Sequence, residues 1–295
     1  MAHRAAILAA AVLVAATAVD AAEPGSARVL GAEELAAWKA IRPTLSIRAQ
    51  VDGGRSSAKR ALAIERGQRL VLAIDAKEGA AVRWYLVLPD LARNYANAAP
   101  PWEPNAYTWT GMDAIGYVQI ELPGLADRPE VEPFEGSEIR DAVAALANAN
   151  GFYHADVGTF WFAADASLDG RSARTRGAAD VTDRGIAAQV TRVTVRSDAG
   201  YVGALEGFYN VAGLFGSTTY QAVRHIGADC ADILMAAHAE WRRKPLTANY
   251  NVQQLAQKLR KIAALDVVDG APSQALRWGE EIRPGDFIAV KYEGF

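Results

Sequence analysis

The sequence predicts an α+β fold: a β-rich, sandwich-like N-terminal module followed by a C-terminal part of mixed helices and strands. Three observations carry this expectation. Short apolar runs of alternating pattern, punctuated by Gly, Pro, Asn and Asp, recur through residues 45–199. After Asp198-Ala199-Gly200 the apolar period becomes helical. The 295 residues are 51% hydrophobic, which supplies enough apolar surface for cores of ordinary size. The expected division is therefore 1–21, a signal peptide; 22–44, a lead-in with a short helix; 45–199, the β-rich module; and 200–295, the C-terminal domain.

The N-terminus places His3 and Arg4 before an apolar run at residues 5–19, then small residues around Asp20-Ala21-Ala22. This is the pattern of a secretory signal peptide, cleaved after Ala21 or Ala18. Its apolar run is short for a membrane span, so the mature protein is expected to be periplasmic or secreted, with no stable span after signal removal. Pro24 and Gly25 suggest a flexible lead-in, and residues 32–40 a helix stopped by Pro43.

Residues 45–51 alternate Leu45, Ile47, Ala49 and Val51 against polar neighbours and run into the turn Asp52-Gly53-Gly54. The same logic gives strands at 62–64, 70–74 and 82–88, a Pro- and Asn-rich loop at 94–105, and strands at 107–110 and 117–122. Residues 137–149 are the exception: Ile139, Val143, Leu146 and Ala147 fall at helical spacing behind Ser137 as cap. Residues 159–163 return to strand, 171–184 read as a loop, and Val190, Val193 and Val195 mark a further strand. Trp84, Trp109 and Trp161 lie inside apolar runs, where aromatics fill cores; Trp102 alone suggests exposure, so a sugar-binding platform is not favoured.

A net charge of −3 offers no broad basic surface, and nucleic acid is not an expected partner. A single cysteine excludes an intrachain disulfide, although an exported protein could carry one. That cysteine, Cys230, sits in Gly227-Ala228-Asp229-Cys230-Ala231-Asp232, where a loop becomes a helix. Unpaired N–H groups and the helix dipole there favour a thiolate. The competing reading is a small buried apolar side chain. In the helix behind Cys230, the residues Ile233, Leu234, Ala237 and Trp241 share one face, and that face is expected to lie on a sheet. Asn251 then caps a second helix with Val252, Leu255, Leu259 and Ile262 as its buried stripe, and Arg283-Pro284-Gly285-Asp286 turns into an apolar strand at 287–290.

Taken together, Phe215-Gly216-Ser217, the Asp229-Cys230 segment opening a helix, the helix from Val252 and Pro284-Gly285-Asp286-Phe287 resemble, in order and rough spacing, the NlpC-type cell-wall cysteine peptidases of the papain-like superfamily. The resemblance covers about the last third of the chain. It implies a partial papain-like α+β domain and hydrolysis of amide bonds in peptidoglycan peptides. It further implies Cys230 as catalytic nucleophile, its N–H as oxyanion donor, and Asp229 as a substrate-binding residue that holds a free amino group of the peptide. The pattern departs from the family at Ala228, Ala231 and Gly213, where the family has an aromatic residue, a serine and a tyrosine.

Thiol catalysis also needs an imidazole, which the family carries on a strand after Pro-Gly-Asp, beyond Phe295 here. His238 lies eight residues along the same helix, about 12 Å from Cys230 by helical rise. His225 is expected to be a packing or solvated residue, and His154 belongs to the β-rich part. The given chain is accordingly expected to be an incomplete, inactive form of the enzyme. The alternative is a non-catalytic envelope-binding or structural protein with an inert buried cysteine. No ligand spacing for a metal and no phosphate-binding loop occurs, so no cofactor is expected.

Overall fold

The computed structural model describes residues 26–91, 115–146, 151–214, 216–268, 271–283 and 285–289. The expected signal peptide, the loop at 94–105, the strand at 107–110, Trp102, Trp109, Phe215, Pro284 and Val290 lie outside these residues. The fold is mixed α+β and rich in sheet. In chain order its strands are β1 Arg28–Val29, β2 Ile47–Val51, β3 Ala61–Glu65, β4 Leu70–Ile74, β5 Ala81–Pro89, β6 Tyr117–Glu121, β7 Glu130–Val131, β8 Gly158–Leu168, β9 Arg171–Arg174, β10 Val181–Thr182, β11 Gly185–Ile186, β12 Thr191–Arg196, β13 Ala212–Gly213, β14 Gly227–Ala228, β15 Val267–Val268 and β16 Ala271–Pro272. The helices are α1 Ala32–Ala40, α2 Glu138–Ala144, α3 Tyr201–Glu206, α4 Thr219–Val223, α5 Cys230–Trp241 and α6 Val252–Lys258.

The large sheet runs β1-β6-β5-β8-β12-β3, with β9 added to β8, and a second sheet runs β2-β4-β7. Pairings in these two sheets are antiparallel except β12 with β3, which is parallel. Strands β5 and β8 occupy the middle of the large sheet, and both of their faces are covered. Their apolar runs are therefore nearly continuous rather than alternating, as in Trp84-Tyr85-Leu86-Val87-Leu88 and Phe160-Trp161-Phe162-Ala163-Ala164, all buried.

Alternation still sorts the side chains onto two faces. On one face Phe134, just after β7, meets Phe160 and Phe162 edge-on, and the Trp84 indole donates to the Arg128 carbonyl at 2.8 Å, so the smaller sheet lies on this side. On the other face Trp38 of α1 meets Tyr85 edge-on at 4.9 Å, and Thr159 and Thr194 face His225. Helices α3, α4 and α5 gather on that face, around a second cluster that includes Ala204, Phe208, Ala222, Ala236 and Ala237. Ala212, Leu214 and Ile226, all beyond residue 200, belong to the same core as the β-rich part.

Most expected elements are present, including α1 over residues 32–40 and Ser137 as the residue preceding α2. Four differ. The lead-in contributes β1, which pairs with β6 and is not a loose leader. The expected loop at 171–184 contains β9 and β10, short strands whose polar sequence hides them because they sit at sheet margins. The buried side of α5 is Ala231, Asp232, Met235, Ala236, Ala237 and Ala239, mostly alanines that let helices approach; of the expected face Ala237 is buried and Ile233 partly so, while Trp241 is 40% exposed. Finally, α6 buries none of its residues, and residues 285–289 form no strand, with Phe287 and Ile288 exposed. Among the described residues no helix is long and apolar enough to cross a membrane.

Candidate functional site

The chain approaches Cys230 through β14, which pairs in parallel with β13. Gly227 is needed for this close approach: a Cβ there would meet Leu214 Cβ and Cδ2 at 2.9 Å. Asp229 is extended, with φ −87° and ψ 178°, and forms the N-cap of α5; its Oδ1 accepts from the N–H groups of Ala231 at 3.0 Å and Asp232 at 2.9 Å. Cys230 is the first helical residue. Its side chain is exposed, which removes the buried-core reading of this thiol. Its own N–H has no partner among the described residues, since the cap takes the next two and Ile233 N–H returns to the Asp229 carbonyl. The helix thus presents a thiol and one free N–H donor at the positive end of its dipole.

Behind this end the side chains are tied inward. Ser217 Oγ accepts from Asp229 N–H at 3.0 Å and donates to the Asp232 carboxylate in a short hydrogen bond. Asp232 is fully buried, and its Oδ1 has no partner among the described residues. Burial, with the Asp229 charge adding to it, raises the Asp232 carboxyl above its usual range, against the opposing Ser217 hydrogen bond. Asp232 faces inward and Cys230 outward, so they belong to different environments although they are two residues apart.

The described histidines are all engaged elsewhere. His225 is completely buried, with its backbone at φ 55°. Its ring stacks on Phe208, Nδ1 lies 2.6 Å from Thr159 Oγ1, and Nε2 lies 2.6 Å from Glu240 Oε1. Burial, with Arg192 beside it, lowers the imidazole pKa against the pull of Glu240. Glu240 itself is lowered: burial alone would raise it, but His225, Arg196 and Arg192 together outweigh that penalty. The lowered imidazole pKa describes a neutral ring whose Nε2–H donates to the Glu240 carboxylate, which Arg196 also holds. His225 is therefore a clasp between β8 and α5. His154 stacks on Tyr209 at 3.8 Å, and His238 lies in the last turn of α5, edge-on to Trp241.

Of the residues singled out from the sequence, Cys230 and Asp229 adjoin at one helix end, while Gly285-Asp286-Phe287 lie in an exposed segment without a sheet. The Thr159–His225–Glu240–Arg196 network was not legible in advance. Its members come from β8, a loop, α5 and β12, and only the fold brings them together. Among the described residues no group of three or more His, Cys, Asp or Glu is placed to hold a metal ion. No family description, curated protein or solved structure matches this chain.

Proposed function

We propose that Cys230 is the nucleophile of an exported, papain-like cysteine peptidase of the NlpC type, directed at amide bonds of peptidoglycan peptides. The observation that carries the reading is the exposed thiol on the first residue of α5 with its own N–H unpartnered among the described residues. A thiolate there attacks the amide carbon, and the carbonyl electron pair moves onto the oxygen, which accepts a hydrogen bond from the Cys230 N–H. Collapse of this intermediate breaks the C–N bond and releases the amine, protonated by the histidine that the resemblance implies. Asp229 has spent Oδ1 on the helix cap, and its Oδ2 faces no partner among the described residues, which leaves one oxygen for an ammonium group of a substrate. The resemblance assigns proton transfer to a histidine on a strand after Pro284-Gly285-Asp286; among the described histidines, both ring nitrogens of His225 are occupied by Thr159 and Glu240, while His154 stacks on Tyr209 and His238 meets Trp241 edge-on.

Alkylation kinetics test the nucleophile. Iodoacetamide should modify Cys230 at pH 6 to 7 faster than it modifies an ordinary exposed thiol. An equal rate would remove the activated-thiol reading. The chain as given should turn over peptidoglycan fragments weakly or not at all, and robust cleavage that survives Cys230→Ala would remove both site and mechanism.

The second reading is a non-catalytic envelope-binding protein. What favours it is that both nitrogens of the nearest histidine in sequence, His225, are occupied by Thr159 and Glu240. A slow, ordinary thiol together with saturable binding to intact peptidoglycan would establish this reading over the first.

A further inference from the structure

Two arginines of β12, Arg192 and Arg196, lie near a single carboxylate, that of Glu240. Arg192 and Arg196 share a face with Thr194, which looks toward His225 and the helices. Arg196 pairs with Glu240. Arg192 donates from Nη1 to the Val223 carbonyl at 3.3 Å. The Nε–H groups of both arginines are buried and without a partner among the described residues. A buried donor left unpaired costs about 1–3 kcal/mol, and more when it is charged, so the Arg192 Nε–H, whose guanidinium has no carboxylate bound to it, calls for an acceptor.

The charges around them point the same way. Burial lowers Arg192 to about 10; Glu240 opposes this, while Arg224 and Arg196 lower it further. The guanidinium groups of Arg196 and Arg224 both act on that of Arg192, and the one carboxylate that opposes them, Glu240, is already bound by Arg196 and by His225. His225 is neutral and offsets nothing. At the outer side, Arg224 and Arg184 both lie over the ring of Tyr220, at 4.3 and 4.9 Å from its centroid, which holds two exposed cations in place at low entropy cost. The arrangement has a buried positive end, an exposed positive mouth and a surplus of N–H donors.

We infer that an oxyanion group, phosphate or carboxylate, binds between Arg192 and Arg224 where α4 meets β12, with Arg184 and Tyr220 at the mouth. This site is separate from Cys230 and holds whether or not the thiol is catalytic. The ligand supplies the negative charge that Glu240 cannot, and accepts from donors that the surrounding residues leave open.

The test uses the full chain labelled with ¹⁵N-arginine. Its Nε–H resonances are followed during separate titrations with inorganic phosphate and with acetate, each against sodium chloride at equal ionic strength. The Arg192 resonance should shift saturably at millimolar anion, and whichever of phosphate and acetate saturates first identifies the source of the oxyanion. Arg224→Ala, a surface change, should raise the half-saturation point by about tenfold, the loss of one charge-assisted hydrogen bond. Arg192→Met should abolish saturation; if that variant fails to fold, Arg224→Ala decides alone. Shifts matched by chloride, or a half-saturation point unmoved by Arg224→Ala, would overturn the inference.

Discussion

Residues 26–243 and residues 244–289 have similar sequence signals and opposite structural outcomes. In the first region β5 and β8 are buried on both faces, and α1 seats Trp38 in the core. In the second, none of the described residues is buried, although α6 has a complete capping box between Asn251 and Gln254 and apolar residues at helical spacing. Val252, Leu259, Ile262, Val267, Val268, Trp278 and Ile288 are all exposed. Capping and periodicity state which side of an element favours burial. Whether anything covers that side is decided by the rest of the molecule.

This contrast sets an order of expected effects. Trp84→Ala, at the centre of the core, should cost about 3–5 kcal/mol in urea denaturation. A cost below about 1 kcal/mol would show that the first region is far looser than its burial indicates.

Glu240→Gln should come next, at about 2–3 kcal/mol, because it strands Arg196 and weakens the His225 bond. The pH dependence has a definite sign. The folded-state pKa of His225 lies below its unfolded value near 6.5, so between the two the unfolded chain binds the extra proton and stability falls as pH drops through that window. The depressed Glu240 carboxyl contributes stability above its unfolded value of about 4.5, which is lost as pH falls through its folded value. Both push toward acid destabilisation. His225→Gln should flatten the stability profile just below pH 6.5, and an unchanged slope there would show that other groups set it.

Asp229→Ala should cost about 1 kcal/mol through loss of the cap on α5, measurable as a shift in melting temperature. The smallest effect belongs to the second region: Ile262→Ser should change stability by no more than about 0.5 kcal/mol. A loss of 2 kcal/mol or more at Ile262 would show that this segment folds cooperatively with the core and would erase the contrast.

Elements that bury one face against another were readable from the sequence. The turn at Asp52-Gly53-Gly54, the strand at Leu70–Ile74 and the helix at Ala32–Ala40 stand where local pattern places them. The helix opening at Cys230 was readable too, because a cap needs only Asp229 and the N–H groups just after it. The orientation of α5 was not. Its larger side chains, Ile233, Leu234 and Trp241, outrank alanine on any hydrophobic scale, yet close packing against α3 and α4 selects the alanine side. Glu240 and Asp232 fall outside the apolar face that the sequence assigns to this helix. One is held by a histidine and arginines contributed from other elements, and the other is turned inward toward Ser217.

The parallel pairing of β3 with β12 has a consequence for the order of assembly. It joins Ala61 to Arg192, so a loop of about 130 residues must close before the sheet gains its last strand. Until that closure β3 lacks its partner, and Arg196 of β12 meets Glu240 only once α5 follows. Synthesis delivers β3 early and β12 and α5 late. The rate-limiting event in folding should therefore be the docking of this late strand and helix onto an already formed β5–β8 centre, at the slow end of the range for single domains.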